Sequence, residues 1–305
     1  MVKAYEIAAG KVLESADESA PILLYVNPDA EEKRRLVDVL KLDEHTLHSA
    51  LDPDELPRLE FEPEHVAAIV KRPRKFSERE QFLFRVNSMG LFLYKDRLVI
   101  VVPEDGLALS GKVFQNVATL PDVMLGILYN SIFHFLEHLK VISMMSDDLE
   151  HKINTSMENR HLLGLFALIK SLVYYLNAIR GNGVIIARLK NAGARIGLTV
   201  AQTEFLDDIS VENDQCYKLA EIHSNVFSSL MDARASIVNN NLSVLMKTLN
   251  MITIGIMVPT FVVSAFSMNV PIPLQRYATM FWLILGLAAA SGFSVLAYWR
   301  YKRFW

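Results

Sequence analysis

Apolar and polar positions fall into short runs over the first hundred residues and then settle into long stretches of helical spacing. Ile22–Val26, Val66–Val70, Phe82–Val86, Gly90–Tyr94 and Arg97–Val102 are apolar, partly β-branched runs. Turn signals separate them (Asn27-Pro28, Asn87-Ser88, Lys95-Asp96), which predicts strands, with hairpin links at Asn87–Met89 and Lys95–Asp96. Between the first two runs, Asp29–Leu42 and Asp43–Leu51 have helical spacing, with Asp29 and Asp43 as N-caps. From Pro121 the period is helical throughout, predicting helices over 121–157, over 158–190 and from Thr199 onward. Thr199-Val-Ala-Gln202 fits a capping box. Neither Pro nor Gly interrupts 200–254, so the last helix is expected to continue for ~65 residues, about 100 Å at 1.5 Å each. No segment repeats at a fixed period.

The C-terminal quarter is different in kind. Residues 248–275 contain 28 positions without a charge, and residues 277–299 another 23. About 20 predominantly apolar residues of helix cross a bilayer core, and buried helices of soluble proteins are usually shorter. Leu249–Phe266 and Thr279–Trp299 are therefore the expected spans, against the alternative of two buried core helices. Arg234 and Lys247 precede this hairpin, Arg300, Lys302 and Arg303 follow it, and the link carries only Arg276. Positive flanks stay inside, which places both ends in the cytoplasm. Trp282, Tyr298, Trp299, Tyr301 and Trp305 sit near the span ends, where amphipathic rings prefer the interface. The N-terminus has no apolar stretch of the kind a secretory signal needs. The expected organisation is a cytosolic α/β domain (1–118), long cytosolic helices (119–247), and a transmembrane hairpin with a basic tail (248–305).

Composition agrees with an ordinary polar body joined to an apolar segment. Mean hydropathy is +0.23 although 21% of residues are charged. One cysteine in 305 residues excludes a disulfide framework or a cysteine-rich zinc module. With 31 Lys and Arg against 34 Asp and Glu, the net charge of −3 gives no support to a nucleic-acid binder.

Read in steps of four and three, the first span carries Asn239, Ser243, Met246, Asn250, Thr253, Met257, Thr260, Ser264 and Ser267 on one line. None is Leu, Ile, Val or Phe. The neighbouring line, Leu245, Leu249, Ile252, Ile256, Pro259, Val263 and Phe266, is apolar. Two readings fit. Small and hydroxyl side chains let membrane helices pack closely, or several chains face their stripes to a common axis and enclose water. The length of the stripe and its continuation into the cytosolic helix favour the second. Met rings then supply apolar constrictions, and Asn and Thr rings supply neutral oxygens for a cation that keeps its water shell, as magnesium tends to.

With these residues in hand, the chain resembles the CorA family of magnesium transporters. There the first span is followed by Gly-Met-Asn; the same place here holds Ser267-Met268-Asn269. Met246-Lys247-Thr248-Leu249, the membrane Pro259, the basic tail ending in an aromatic, and Leu51-Asp52-Pro53-Asp54-Glu55-Leu56-Pro57-Arg58-Leu59-Glu60 resemble family segments as well. The resemblance implies an α/β cytosolic domain, a funnel of long helices and two spans per subunit in a homopentamer of the cell inner (plasma) membrane. It implies transport of divalent cations, Mg²⁺ first among them, with no catalysis, no catalytic cofactor and no nucleic acid. It assigns the outer ring to Asn269 and the pore lining to Met268, Ser267, Ser264, Thr260, Met257, Thr253, Asn250 and Met246. A regulatory Mg²⁺ site falls on Asp232. Three features depart from the family pattern. Ser267 replaces the signature Gly, which is strained if the backbone there needs a positive φ. The loop Asn269–Thr279 has no acid and carries Arg276. The counterpart expected for Asp232 falls near Phe76, beside the basic run Lys71-Arg72-Pro73-Arg74-Lys75. The alternatives are a relative with changed selectivity (Zn²⁺, Co²⁺, Ni²⁺ or monovalent ions) and a non-conducting membrane scaffold or sensor.

Other motifs compete for attention. His134-Phe-Leu-Glu137-His138 has the H-x-x-E-H spacing of a zinc peptidase, with Glu158 as a nearby acid; the plainer reading is a polar helix face. Asp207, Asp208, Glu212 and Asp214 read as a solvated face or a second cation site. The run Lys71–Lys75 reads as an exposed basic loop that touches an anionic lipid or nucleotide at most. Cys216 and the pair Met144-Met145 read as packing residues.

Overall fold

The computed structural model describes residues 1–17, 19–75, 82–155, 159–268 and 279–302. By contacts the chain divides into two units, Met1–Ser229 and Leu230–Trp305. The first unit is built on one seven-stranded sheet. Its strands are β1 (Val2–Ala8), β2 (Lys11–Ser15), β3 (Ile22–Val26), β4 (Arg58–Phe61), β5 (His65–Pro73), β6 (Val86–Tyr94) and β7 (Leu98–Val102). Their order is β2-β1-β3-β7-β6-β5-β4. Among the described strands only β3 and β7 run parallel, with Leu24 opposite Ile100; the other pairs are antiparallel.

Two short helices, α1 (Ala30–Asp38) and α2 (Glu44–Leu51), follow β3. Asp29 caps α1 and exchanges hydrogen bonds with Glu32 in a capping box, and Asp43 caps α2 through the Thr46 N–H, as the sequence predicts. Leu36, Leu40, Leu42, Leu47 and Ala50 form one core with Leu23, Tyr25, Ala67, Ile69, Phe92, Val99 and Val101, the alternate residues of four neighbouring strands. Gly90 belongs to that face. A Cβ there would collide with Ala50 and the Phe92 ring, so the missing side chain is what lets α2 reach the sheet. The opposite alternation, including Leu24, Val70, Leu91 and Ile100, is equally buried, with α3 (Leu120–Thr155) and α4 (Asn159–Asn191) packed against β5 and β6. Cover on both faces explains why β3 and β7 are apolar without alternation.

Three expectations are corrected. The run Phe82–Val86 is not a strand: Phe84 is buried in an irregular segment, and its N–H goes to Ser171 Oγ of α4 at 2.9 Å. The Asn87–Met89 link is not a hairpin either, because Asn87, Ser88 and Met89 pair with Arg72, Lys71 and Val70 inside β6. The basic run is no exposed loop. Lys71 and Arg72 are buried in β5. Lys71 Nζ donates to the Pro53 carbonyl (2.6 Å) and to Ser88 Oγ (2.8 Å), and Asn182 of α4 bonds both backbone groups of Lys71 at 2.8 Å. Asn182 thereby supplies the ladder partner that β4, whose pairing stops at Ile69, does not reach. The β1–β2 hairpin, absent from the reading above, turns on Ala9 and Gly10, both at positive φ, as a two-residue turn requires.

A one-turn helix α5 (Gly193–Ile196) leads to α6 (Val200–Phe266). The capping box forms: Gln202 N–H donates to Thr199 Oγ1 at 3.2 Å, and Thr199 N–H to Gln202 Oε1 at 2.9 Å. Gln202 Nε2 also reaches Asp122 Oδ1 (2.6 Å) and Thr119 Oγ1 (2.8 Å), pinning the start of α6 to that of α3. Within the first unit α6 buries Leu206, Ile209, Asn213, Cys216, Ala220 and Phe227, mostly at steps of three and four. Cys216 packs as expected, its thiol pushed up to about 12 mainly by burial. Met144 does not; it is 72% exposed on a turn of α3 that also exposes Val141. The second unit holds the rest of α6 and α7 (Met280–Tyr301).

Candidate functional site

Among the described residues three helices are long and apolar enough to cross a membrane, within His161–Asn191, Val200–Phe266 and Met280–Tyr301. Burial separates them. Nearly half of the apolar window in α4 is enclosed by the first unit, whereas none of the window in α6 and almost none of that in α7 is. An unburied apolar helix in water loses the hydrophobic gain that would fold it, and a bilayer removes that penalty.

The two helices of the second unit meet along one line of α6. Thr248, Met251, Gly255, Val258 and Val262 are half-buried. A Cβ added at Gly292 of α7 would lie 3.2 Å from Pro259 Cγ, so a glycine sits where α7 passes close to Pro259. Toward the end of α7 a groove of about 960 Å³ opens between the helices, lined by Thr248, Met251, Ile252, Gly255, Leu296 and Trp299.

The residues two positions further on, Asn250, Thr253, Met257, Thr260 and Ser264, are all exposed. Two residues of α-helix turn through about 200°, so this stripe faces away from α7. Met246 and Met268 belong to the same open side at 56% and 61% exposure, and Met257 is 63% exposed. The hydroxyls turn back on their own helix: Thr253 Oγ1 donates to the Leu249 carbonyl (2.9 Å) and Thr260 Oγ1 to the Ile256 carbonyl (2.7 Å). Each hydroxyl oxygen keeps lone pairs directed outward. Pro259 lacks the N–H that would bond the Gly255 carbonyl, on the face toward α7.

The end of the stripe is relaxed. Ser267 is not among the described non-glycine residues with positive φ, so the strain considered for a side chain in the signature's first position does not arise. Its N–H (3.1 Å) and Oγ (2.9 Å) both donate to the Ser264 carbonyl, closing the helix with a serine turn. Asn269 and the loop with Arg276 lie outside the described residues, as does Phe76. Asp232 is exposed on α6. Among the described residues no group of three or more His, Cys, Asp or Glu is placed to hold a metal ion.

The zinc-like motif is used for packing. His138 is buried and its Nδ1 lies 2.6 Å from the Tyr175 hydroxyl. Burial, helped by the neighbouring His134, lowers its pKa to about 4, so it stays neutral. Glu158 lies outside the described residues. The acids at the start of α6 are exposed or half-buried, and Asp207 pairs with Lys190 of α4 at 2.5 Å. The sequence reading passed over Asn182 and Gln202 as tethers. Gln202 was visible as a capping residue, but its second role needs the α3 terminus beside it.

Comparison with known proteins follows the same geometry. The family described as CorA-like Mg2+ transporter protein matches residues 22–303. The cobalt/magnesium transport protein CorA of Methanocaldococcus jannaschii is 24% identical over 275 residues, covering 86% of this chain and 84% of its own. The complete structure of the CorA magnesium transporter from that organism superposes with a TM-score of 0.81 at 20% identity, over 98% of this chain and 96% of the other. The full-length CmaX protein gives 0.73 at 16% identity, over 98% and 97%. Sheet, long helices and apolar hairpin are thus a shared fold. The chain belongs to the CorA-like Mg2+ transporter family, whose members are divalent-cation transporters of membranes and not enzymes.

Proposed function

We propose that this chain assembles as a homopentamer in the inner (plasma) membrane, both termini cytoplasmic, and passes hydrated Mg²⁺ along a pore lined by its first span. The carrying observation is the exposed stripe Met246, Asn250, Thr253, Met257, Thr260 and Ser264 on the side of α6 turned away from α7. Polar groups at membrane depth need protein or water as neighbours, and a single hairpin encloses neither. Five copies facing inward give both.

Asn269 forms the outer ring that receives the hydrated ion, beside Met268 and Ser267. Ser264, Thr260, Thr253 and Asn250 offer neutral oxygens below it, and Met257 and Met246 form apolar constrictions that gate by dewetting. The membrane potential drives entry, about 2.3 kcal/mol per charge per 100 mV. In this reading 1–118 is the cytosolic α/β domain, 119–247 the funnel of long helices and 248–305 the pore hairpin, with Asp232 as the regulatory Mg²⁺ position. Exposed apolar residues on α4 (Leu163, Phe166, Val173) and α6 (Val211, Ile222, Val226) support neighbouring copies along the funnel.

A second reading, selectivity for Co²⁺, Ni²⁺, Zn²⁺ or monovalent ions, is favoured by one feature: the loop Asn269–Thr279 has no acid to concentrate divalent cations and carries Arg276. The Methanocaldococcus jannaschii relative is itself a cobalt/magnesium transport protein. Flux into liposomes, with the subunit count measured by mass in detergent, tests both. Mg²⁺ uptake that disappears in Asn269→Ala supports the first reading, and uptake of other ions without Mg²⁺ supports the second. An intact pentamer that passes no cation leaves a scaffold or sensor. Ser267→Gly then reports whether the signature serine sets the outcome.

A further inference from the structure

The motif at His134 and the basic run, neither of which the pore uses, meet in one place. Arg72 ends β5 on the face that α3 covers and is 7% exposed. Its Nη2 donates to the Gly106 carbonyl at 2.9 Å, while its buried Nη1 has no hydrogen-bond partner. Leaving a buried charged donor unpaired costs more than leaving a neutral one, so such a group calls for a ligand or water. Arg72 is part of the wall of a cavity of about 160 Å³, with Gly106, Asn130, Ser131, His134 and Glu137.

The charges around it favour an anion. Lys75 lies across Gly106, where a Cβ would meet its side chain. The two acids of the neighbouring loop also act on Arg72, but each has a nearer cation of its own: Glu104 pairs with Arg74 Nε at 3.0 Å, and Asp105 with Lys3 Nζ at 3.1 Å. On α3 only the exposed Glu137 borders the cavity with negative charge. The volume is below the roughly 300–1,000 Å³ of sites for larger organic ligands and suits a small ion.

We infer that Arg72, Asn130 and His134 form a binding site for a small oxyanion, of the sulfate or phosphate class, joining the end of β5 to α3. The guanidinium supplies a fixed positive charge, the Asn130 amide, whose Nδ2 also reaches the Ala108 carbonyl at 3.5 Å, a further donor, and His134 a switchable one. His134 is held below its usual pKa by burial, then by the Arg72 charge, with Lys75 acting the same way and Glu137 opposing them; His138, its ring centroid 4.4 Å away, stays neutral. An anion in the cavity favours imidazolium, so binding takes up a proton and tightens as pH falls. The site stands whether or not the pore reading holds.

The test is sulfate binding to the full chain in detergent, by calorimetry and thermal shift, against chloride at equal ionic strength. Sulfate keeps its charge between pH 6 and pH 8, so any pH dependence belongs to the protein. Saturable binding is expected, about fivefold or more tighter at pH 6 than at pH 8. Phosphate should compete. Arg72→Lys should weaken binding about tenfold or more by removing the planar fork. Should that variant fail to fold, Asn130→Asp decides: a carboxylate on the wall should weaken sulfate about tenfold or more. His134→Gln should weaken binding at pH 6 and remove its pH dependence, and Glu137→Gln should tighten binding. No saturable response beyond chloride, or Asn130→Asp and His134→Gln both indistinguishable from the unaltered protein, overturns the proposal.

Discussion

The middle of α4 and the membrane half of α6 are both apolar helices long enough to span a bilayer, yet the structure treats them oppositely. In α4 the apolar side chains Leu168, Leu172, Tyr175 and Ile179 are buried in the first unit. Its polar residues are tethers: Ser171 accepts the Phe84 N–H, and Asn182 completes the ladder at Lys71. In the membrane half of α6 no apolar residue is fully buried, and Thr253 and Thr260 bond to carbonyls one turn back on the same helix. Apolar length therefore does not distinguish a core helix from a span. The polar residues do: where the chain supplies each one with a partner on another element the helix is structural, and where it leaves a whole stripe facing outward the partner must come from elsewhere.

Equal truncations should break or sharpen this contrast. The largest effect is expected for Leu172→Ala, which opens a cavity in a fully buried site and should cost about 2–5 kcal/mol. Met257→Ala, a comparable deletion on the open stripe, should cost under about 1 kcal/mol and raise ion flux by widening a constriction. Thermal unfolding in detergent and liposome uptake read the two. Equal losses of stability would mean that the stripe is a packed interface.

Acid should divide the regions next. His138 is buried neutral, with its folded pKa lowered to about 4 from an unfolded value near 6.5. The unfolded chain binds the extra proton between those values, so stability is full above about pH 6.5 and falls as pH drops toward 4, by at most about 3 kcal/mol. The spans hold no Asp, Glu or His from 248 to 299 and should not respond. Tryptophan fluorescence, whose three reporters Trp282, Trp299 and Trp305 lie in the hairpin and its tail, should stay constant while far-ultraviolet dichroism records the loss. His138→Gln should flatten that slope.

Thr260→Val should have the smallest effect on stability, within about 0.5 kcal/mol, because the hydroxyl bonds only within its helix. Its influence should appear in flux alone, as a lost oxygen in the pore wall. A large drop in melting temperature would place Thr260 in a packed contact and count against the aqueous stripe.

Legibility followed how local each signal was. The helix starts at Asp29, Asp43 and Thr199 were readable because a cap depends on residues three apart. The spans were readable from missing charge, and the stripe from its spacing. Phe82–Val86 misled because an apolar run bounded by turn residues also describes a buried irregular segment, and only Ser171, 87 residues away, takes up the Phe84 N–H. The basic run misled more instructively. Its charges suggested solvent, but Lys71 finds oxygens at Pro53 and Ser88, and Arg72 one at Gly106.

By itself the sequence determined the period of each helix, the caps that begin them, the absence of charge that makes 249–266 and 279–299 candidate spans, and the line along which oxygen and sulfur recur. Those are properties of neighbours within a few residues. Only the tertiary structure decided that α7 takes the opposite side of α6 and leaves the stripe open, that α4 is a core helix, and that Arg72 and His134 share a cavity. Each of these depends on which distant surface removes a group from water, and hydrophobic burial and hydrogen-bond satisfaction are settled between elements rather than along the chain.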